Sequence, residues 1–409
     1  MDKRKIINDP VYGFINIPDK LIFDLIEHPY FQRLRRIKQL GLTHLIYPGA
    51  LHTRFHHSIG AMHLMQQALS VLKAKGHKIT KEEEQGALIA ILLHDIGHGP
   101  FSHALENSII RDINHEDISK IFMYRLNSQF DGMLSIGIDI FRHKYPKNYL
   151  SQLVSSQLDM DRLDYMARDS FFTGVSEGIV STERIIKMLD MSDDKLVVEA
   201  KGIYSLEKFI VARRLMYWQV YLHKTVLSAE NMLMKILKRA EYLVKKGIDL
   251  FATPSLKFFL ENNFSDNNIL SNPEILEKYS MLDDFDIFTS IKVWTNHEDK
   301  ILAILSSNLV NRKLFKCKIQ PEPFDYFYIE KLKEKIITKY NLKEKDLEYF
   351  FYSDTTSNYA YNLKADKINI LFSSGKILDI VEASDQLNIS VLSQAVTKHF
   401  ICYPKDVDN

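Results

Sequence analysis

The stretch Ala87-Leu88-Ile89-Ala90-Ile91-Leu92-Leu93-His94-Asp95-Ile96-Gly97-His98-Gly99-Pro100-Phe101-Ser102-His103 decides the fold. Its apolar start, Ala87 to Leu93, suits a buried strand as well as a buried helix. The preceding residues settle the choice. Thr80-Lys81-Glu82-Glu83 is a capping box with an acidic first turn, so the spacing predicts a helix that ends at Gly97-His98-Gly99-Pro100. Such a helix carries His94 and Asp95 to the edge of a core. His94 and His98 are four residues apart and are expected on one helical face. A buried aspartate needs a partner, and a cation is a natural one. A single buried histidine is ordinarily satisfied by its neighbours. Three histidines and an aspartate within ten residues demand several partners at once.

Working outward, a second cluster lies upstream at His52-Thr53-Arg54-Phe55-His56-His57-Ser58. Arginine offers planar donors suited to phosphate oxygens, and His57 sits near a helix start. By itself such a turn is as readily a solvated loop. A third cluster follows downstream, Asp159-Met160-Asp161-Arg162-Leu163-Asp164-Tyr165-Met166-Ala167-Arg168-Asp169. Helical spacing brings Asp161, Asp164, Tyr165, Arg168 and Asp169 onto nearby faces, either as the wall of a polar cleft or as a salt-bridged surface.

The 409 residues are 46% hydrophobic and 26% charged, enough apolar material for a large core. Balanced charge, 53 basic against 52 acidic residues, argues against a bulk nucleic-acid binder or a polybasic membrane anchor. Cys317 and Cys402 are too few for a disulfide framework. No apolar run approaches a membrane span and no signal peptide is evident, so a cytoplasmic location is expected. Scarce glycine and proline with helical apolar spacing predict a mostly α chain up to about residue 320. Helices are expected over Asp19–Gly41 with a break at His28-Pro29, over Phe55–Lys75, after the N-cap Asn114, over Asp159–Phe172, and as one long rod over Ser205–Lys246. A short strand is expected at Leu196–Glu199. Gln320-Pro321-Glu322-Pro323 marks a boundary between residues 1–320 and a small α+β domain at 321–409, with strands expected at Tyr326–Ile329, Ile368–Phe372 and Ile401–Tyr403.

Taken together the clusters resemble the HD superfamily of metal-dependent phosphohydrolases, whose motif order H…HD…D falls here on His57, His94-Asp95 and Asp161. The resemblance is strongest to the deoxynucleoside triphosphate triphosphohydrolases, including those that join a SAM domain to an HD domain. It runs from Lys5 to about Lys316 through Ile7-Asn8-Asp9-Pro10, Phe31-Gln32-Arg33-Leu34-Arg35, Ile37-Lys38-Gln39-Leu40-Gly41, Tyr47-Pro48-Gly49-Ala50 and Asp164-Tyr165-Met166-Ala167-Arg168-Asp169. It implies an HD-domain helical core over 1–320. It also implies a divalent ion (manganese, iron, magnesium or zinc) on His57, His94, Asp95 and Asp161, and hydrolysis to deoxynucleoside and inorganic triphosphate.

The resemblance further implies roles for single residues. Arg54, Arg162 and Arg213 would contact phosphate, Arg162 replacing a lysine. His98, His103 and His115 would stand near the phosphates and the attacking water, with Glu106 orienting one of them and His103 serving as general acid. Gln39, Tyr165 and Asp169 would hold the 3′-hydroxyl. Leu40 and Tyr165 would pack near the sugar, and Tyr221 near the base, with Tyr217 where a histidine is usual. Lys5, Asn8, Glu27, Gln32, Arg35, Arg312 and Lys316 match a regulatory guanine-nucleotide site, so a nucleotide effector and a dimer or tetramer are expected. Glu27 stands in place of an aspartate there, and Glu199 falls where a neighbouring effector site has arginine. Two other readings stay open: an HD phosphohydrolase or phosphodiesterase of another nucleotide, and a nucleotide-sensing or nucleic-acid-binding protein with weak catalysis.

Overall fold

The computed structural model describes residues 5–101, 113–262, 264, 272–364, 366–385 and 393–408. It is mostly helical, with a smaller sheet-bearing region toward the C-terminus. A hairpin opens the chain, β1 (Ile6–Asp9) against β2 (Gly13–Asn16). Two short helices follow, α1 (Lys20–Glu27) and α2 (Pro29–Gln32), parted at His28-Pro29 as the proline dictates.

The centre of the core is α3 (Arg54–Ala74) and α4 (Lys81–Leu93), surrounded by α5 (His115–Gln129), α6 (Ser135–Phe141), α7 (Asn148–Val154), α8 (Met160–Thr173) and α9 (Thr182–Lys187). The Thr80 capping box forms as read: Glu83 N–H donates to Thr80 Oγ1 at 3.2 Å and Thr80 N–H to Glu83 Oε2 at 2.9 Å. From Gly86 to Leu93 every residue of α4 is buried. α3 is buried on most of its circumference, because α4 and α8 pack on it from separate sides. Gly60 permits the α8 contact: a Cβ there would fall 2.1 Å from Asp164 Oδ1.

Beyond α9 come β3 (Leu189–Ser192), β4 (Lys195–Glu199), α10 (Ile203–Met216), α11 (Lys224–Lys245), α12 (Pro254–Glu261), α13 (Pro273–Met281), α14 (Asp284–Trp294) and α15 (Lys300–Val310). The rod expected over Ser205–Lys246 is therefore two helices. Between them Tyr217–Tyr221 widens into a π turn, Leu222 N–H reaching Tyr217 O at 2.7 Å, and His223 caps α11 by accepting from Thr225 N–H.

The remaining elements are β5 (Lys316–Gln320), α16 (Tyr326–Tyr340), β6 (Tyr352–Asn358), β7 (Asn369–Leu371), β8 (Ile377–Asp379), α17 (Ile380–Ala383) and β9 (Val396–Tyr403). The strand expected at Tyr326–Ile329 is instead the start of α16. Asp325 caps it by accepting from Tyr328 N–H at 2.8 Å, and Leu332 and Ile336 bury one turn apart, so the aromatic β propensity is overridden. The strands expected near Ile368–Phe372 and Ile401–Tyr403 are present as β7 and β9. One sheet has the order β5-β9-β6; the other, β3-β4-β7-β8, joins β4 to β7 in parallel. Both sheets take strands from either side of the expected boundary at 320.

Candidate metal centre and catalytic cavity

α3, α4 and α8 bring the three sequence clusters together. His57 lies in the first turn of α3, His94 and Asp95 directly follow α4, and Asp161 is in the first turn of α8. Both starts are fixed by local capping. Thr53 and His56 cap α3 reciprocally, which assigns His56 a structural role, and Asp159 caps α8 by accepting from Arg162 N–H at 2.6 Å.

His57 Nε2 lies 3.3 Å from His94 Nε2 and 3.1 Å from Asp161 Oδ1. His94 Nε2 is 3.4 Å from Asp95 Oδ1 and 3.5 Å from Asp161 Oδ1, and Asp95 Oδ2 is 3.7 Å from His57 Nε2. The far sides of the two rings fix their tautomers. His57 Nδ1 is 2.8 Å from Asp164 Oδ2, and that carboxylate also accepts from Arg168 Nε and Nη2 at 2.9 Å each. His94 Nδ1 is 2.6 Å from Ile91 O. Both Nδ1 atoms face pure acceptors and so carry a proton, which leaves the two Nε2 atoms, facing each other and two carboxylates, to hold either a proton or a cation. A divalent cation is the group this donor set fits: His57, His94 and Asp161 could hold it, and Asp95 stands within reach as a fourth ligand.

The electrostatics point the same way. Burial opposes charge on His57, yet hydrogen bonds to Asp161 and Asp164 overcome it and push the ring up to about 10. Burial likewise opposes charge on Asp161, and hydrogen bonds from His57 and His94 outweigh it, holding the carboxyl far below its usual range. The cluster therefore demands positive charge at its centre.

His98 does not share a helical face with His94. α4 ends at Leu93 and the chain turns, so His94 faces His57 while His98 Nε2 lies 3.4 Å from Asp95 Oδ1 and stacks on His115 with ring centroids 3.8 Å apart. Asp95, His98 and His115 form a second group whose ligand atoms are as close as those of His57, His94 and Asp161. Arg54 pairs with Asp95 Oδ2. Burial foremost, then Arg54, holds the His98 ring well below the usual imidazole range. Gly97 is required here, since a Cβ would fall 2.3 Å from both His115 O and Ser119 N.

A cavity of about 470 Å³ opens beside this cluster. Asp95, His98, His115, Asp161, Arg54, Arg162 and Arg213 line it. So do Gln39, Leu40, Tyr165, Asp169, Tyr217 and Tyr221. Arg162 Nε, Arg213 Nε and Gln39 Oε1 are buried with no partner among the described residues, and they mark places for ligand atoms. The rings of Tyr165, Tyr217 and Tyr221 meet edge to face. Asp169 is engaged by Tyr221 Oη and His52 Nε2, each at 2.8 Å. His103 and Glu106 lie outside the described residues.

The residues matched to a regulatory site are more dispersed. Arg35 Nε donates to Gln32 Oε1 at 2.8 Å and its guanidinium covers the Phe55 ring at 3.5 Å. Lys5 covers Phe23, Asn8 is in β1, Glu27 ends α1, Arg312 donates to Leu45 O, and Lys316 pairs with Asp408.

Several supporting residues have no role legible in the sequence, although Asp9 and Arg33 lie in stretches that carry the resemblance. Fully buried Arg33 donates to His98 O at 2.8 Å, Tyr279 Oη to Gly97 O at 2.9 Å, and Ser119 Oγ joins Gly97 N to His94 O. Asp284 accepts from Phe101 N–H at 2.8 Å and Lys38 N–H at 2.9 Å. Asp9 accepts from Arg168 Nη1 at 2.8 Å, which extends the buried chain from His57 through Asp164 and Arg168 to the hairpin.

Comparison with known proteins places this geometry in a family. The HD domain matches residues 54–169, and the HD associated region matches residues 180–250. The uncharacterised protein YwfO of Bacillus subtilis is 33% identical over 422 aligned positions, covering 100% of this chain and 94% of that protein. The crystal structure of a phosphohydrolase from Bacteroides thetaiotaomicron superposes with a TM-score of 0.95 at 51% identity, covering 98% of this chain and 100% of that one. The Dictyostelium discoideum protein named as a deoxynucleoside triphosphate triphosphohydrolase SAMHD1 homolog is 33% identical over 59% of this chain, which spans 50% of that relative. With its H…HD…D residues gathered at the meeting of three helices, the chain belongs to the HD-domain phosphohydrolases and is related to the SAMHD1-type enzymes.

Proposed function

We propose that the chain hydrolyses deoxynucleoside triphosphates to deoxynucleoside and inorganic triphosphate. The observation that carries this reading is one cavity in which unpartnered Arg162 Nε, Arg213 Nε and Gln39 Oε1 stand beside the cation-ready quartet. A divalent cation bound there would supply Lewis acidity and lower the pKa of water. Arg54, Arg162 and Arg213 spread the phosphate charge with fixed donors. The bond that breaks joins the α-phosphorus to the 5′-oxygen. Water adds its hydroxyl to phosphorus, and its proton ends on the 5′-oxygen. Asp161, His98 and His115 are the described groups placed to orient that water or carry the proton, and His103 with Glu106 would complete the set.

Gln39, Tyr165 and Asp169 take the 3′-hydroxyl side of the sugar in this reading. Leu40 and the Tyr165 ring pack beside it, so a 2′-hydroxyl would be buried without a partner. The same reading includes a homo-oligomer and a nucleotide effector near Gln32 and Arg35, supported by the resemblance and by the contact between those two side chains.

The test is product analysis by chromatography after incubating manganese-loaded protein with each of the four deoxynucleoside triphosphates, singly and mixed, with and without GTP. Deoxynucleoside plus triphosphate is the expected result. Release of monophosphate or diphosphate, or turnover of ribonucleotides at the same rate, would refute the reading.

A further inference from the structure

Glu230 is a carboxylate in the cavity wall that the proposed reaction does not use. It sits on α11, one turn beyond Leu227, and both line the cavity together with Leu222 and Tyr221 from the preceding turn. The Gly41–Leu45 segment packs on the same helix and adds Thr43 to this wall. Glu230 is half-buried, yet no described residue gives it a hydrogen bond or an ion pair, and burial alone pushes its carboxyl up to about 7. The cavity's arginines are engaged or aimed elsewhere: Arg54 on Asp95, Arg162 near Asp159, and Arg213 over the Tyr217 ring.

A half-buried carboxyl in a cavity wall that also holds Leu222 and Leu227, without a protein partner, contributes nothing to packing that leucine would not supply better. A residue of that kind lining a ligand cavity is accounted for by a ligand that donates to it. The phosphate end of a nucleotide offers no donors and repels a carboxylate. The tyrosines and Gln39 suit the sugar and a ring face. A nucleobase edge is the part of the molecule that brings N–H groups to an apolar wall.

We propose that Glu230 reads the base of the bound nucleotide, favouring an edge with two adjacent N–H donors, as in guanine, over thymine, whose single N–H is flanked by carbonyls. Adenine and cytosine, with one amino donor beside an acceptor, rank between them. The inference rests on the nucleotide reading above, and it adds the determinant of base preference.

The experiment measures Kd by calorimetry and turnover by chromatography for dGTP, dATP, dCTP and dTTP, on manganese-loaded wild type and Glu230→Gln. The wild type is expected to bind dGTP most tightly and dTTP least. Glu230→Gln should reduce the dGTP-to-dTTP affinity ratio about tenfold or more, since the amide replaces one of the two acceptor oxygens with a donor that faces an N–H of the guanine edge. Its thermal midpoint should stay level or rise, because the unpartnered carboxyl is gone; a lower midpoint would mean that Glu230 serves the fold. An unchanged ratio in a folded variant, or a wild type that prefers dTTP, overturns the role of Glu230. If all four bind and none is hydrolysed, the proposed reaction fails while the affinity ratio still decides for or against Glu230. If none binds, both fail.

Discussion

The surroundings of His57 and the sheet β5-β9-β6 are both tightly packed, but they bury opposite kinds of side chain. Around His57 the interior holds Asp9, Asp164, Arg168, Asp95 and His98. In the sheet it holds Phe400, Ile401, Cys402, Tyr403 and Tyr352, and the ion pairs are relegated to the rim: Lys316 and Asp408 keep 43% and 28% of their side chains exposed. Burying paired charge is a poor route to stability compared with burying hydrocarbon. Where cohesion suffices the chain uses hydrocarbon and aromatic rings. Where two imidazole lone pairs must be held at a fixed place it accepts a buried ionic chain.

That contrast can be tested by removing one cation from each region. Arg168→Met strands Asp9 and Asp164 in the core. It should cost about 3–5 kcal/mol in urea or guanidinium unfolding and weaken manganese retention, because the His57 ring loses its anchor. A loss under 1 kcal/mol would break the comparison. Next in size is the ion itself. Saturating manganese should stabilise the wild type by about 3–4 kcal/mol over the chelated protein at 100 to 1,000 times Kd. Asp95→Ala should abolish that gain while far-ultraviolet circular dichroism stays helical, and a retained gain would remove Asp95 from the ligand set.

A smaller effect is expected at Asp284, the brace on Lys38 and Phe101. Burial raises its carboxyl from 3.8 to about 6 against the pull of the two backbone donors. The folded value lies above the unfolded one, so its contribution is fully present below about pH 4 and is lost as pH rises through about 6. Asp284→Asn should flatten the thermal midpoint's dependence on pH across that window, by on the order of 1–3 kcal/mol at most. A curve identical to wild type would show that Asp284 is not buried in solution. Smallest of all, Lys316→Ala should cost under about 1 kcal/mol in the same unfolding assay, as exposed pairs do. If it matched Arg168→Met, the two regions would not differ in kind.

What could be read in the sequence follows the range of the interaction. The caps at Thr80 and Asn114 act within four residues, and both are present. His94-Asp95 was legible because a long apolar helix ending in two polar groups is costly unless those groups share a task. Asp164 and Arg168 were visible as a stripe, but their partners His57 and Asp9 were not. Arg33, Tyr279 and Asp284 reach the HD turn from other parts of the chain, and nothing within a few residues of them announces a target. The break at Tyr217–Tyr221 contains neither proline nor glycine, so nothing local marks it in the sequence. At Tyr326 three aromatic residues point to a strand, and a single capping aspartate is the one local sign of the helix.

The parallel pairing of β4 with β7 bears on the order in which the chain assembles. Val198 meets Ile370, and Gln157 Nε2 donates to Asn362 O and Asp366 O just beyond α7. A ribosome emitting this chain releases all four quartet residues long before β7, Asn362 or Asp366 exists. Until then one edge of β4 and the amide of Gln157, five residues before Arg162, await distant partners, and closing so long a loop is slow. The nascent chain thus holds its quartet in hand while the sheet β3-β4-β7-β8 is unfinished, a delay during which a chaperone, or the ligand itself, has time to act.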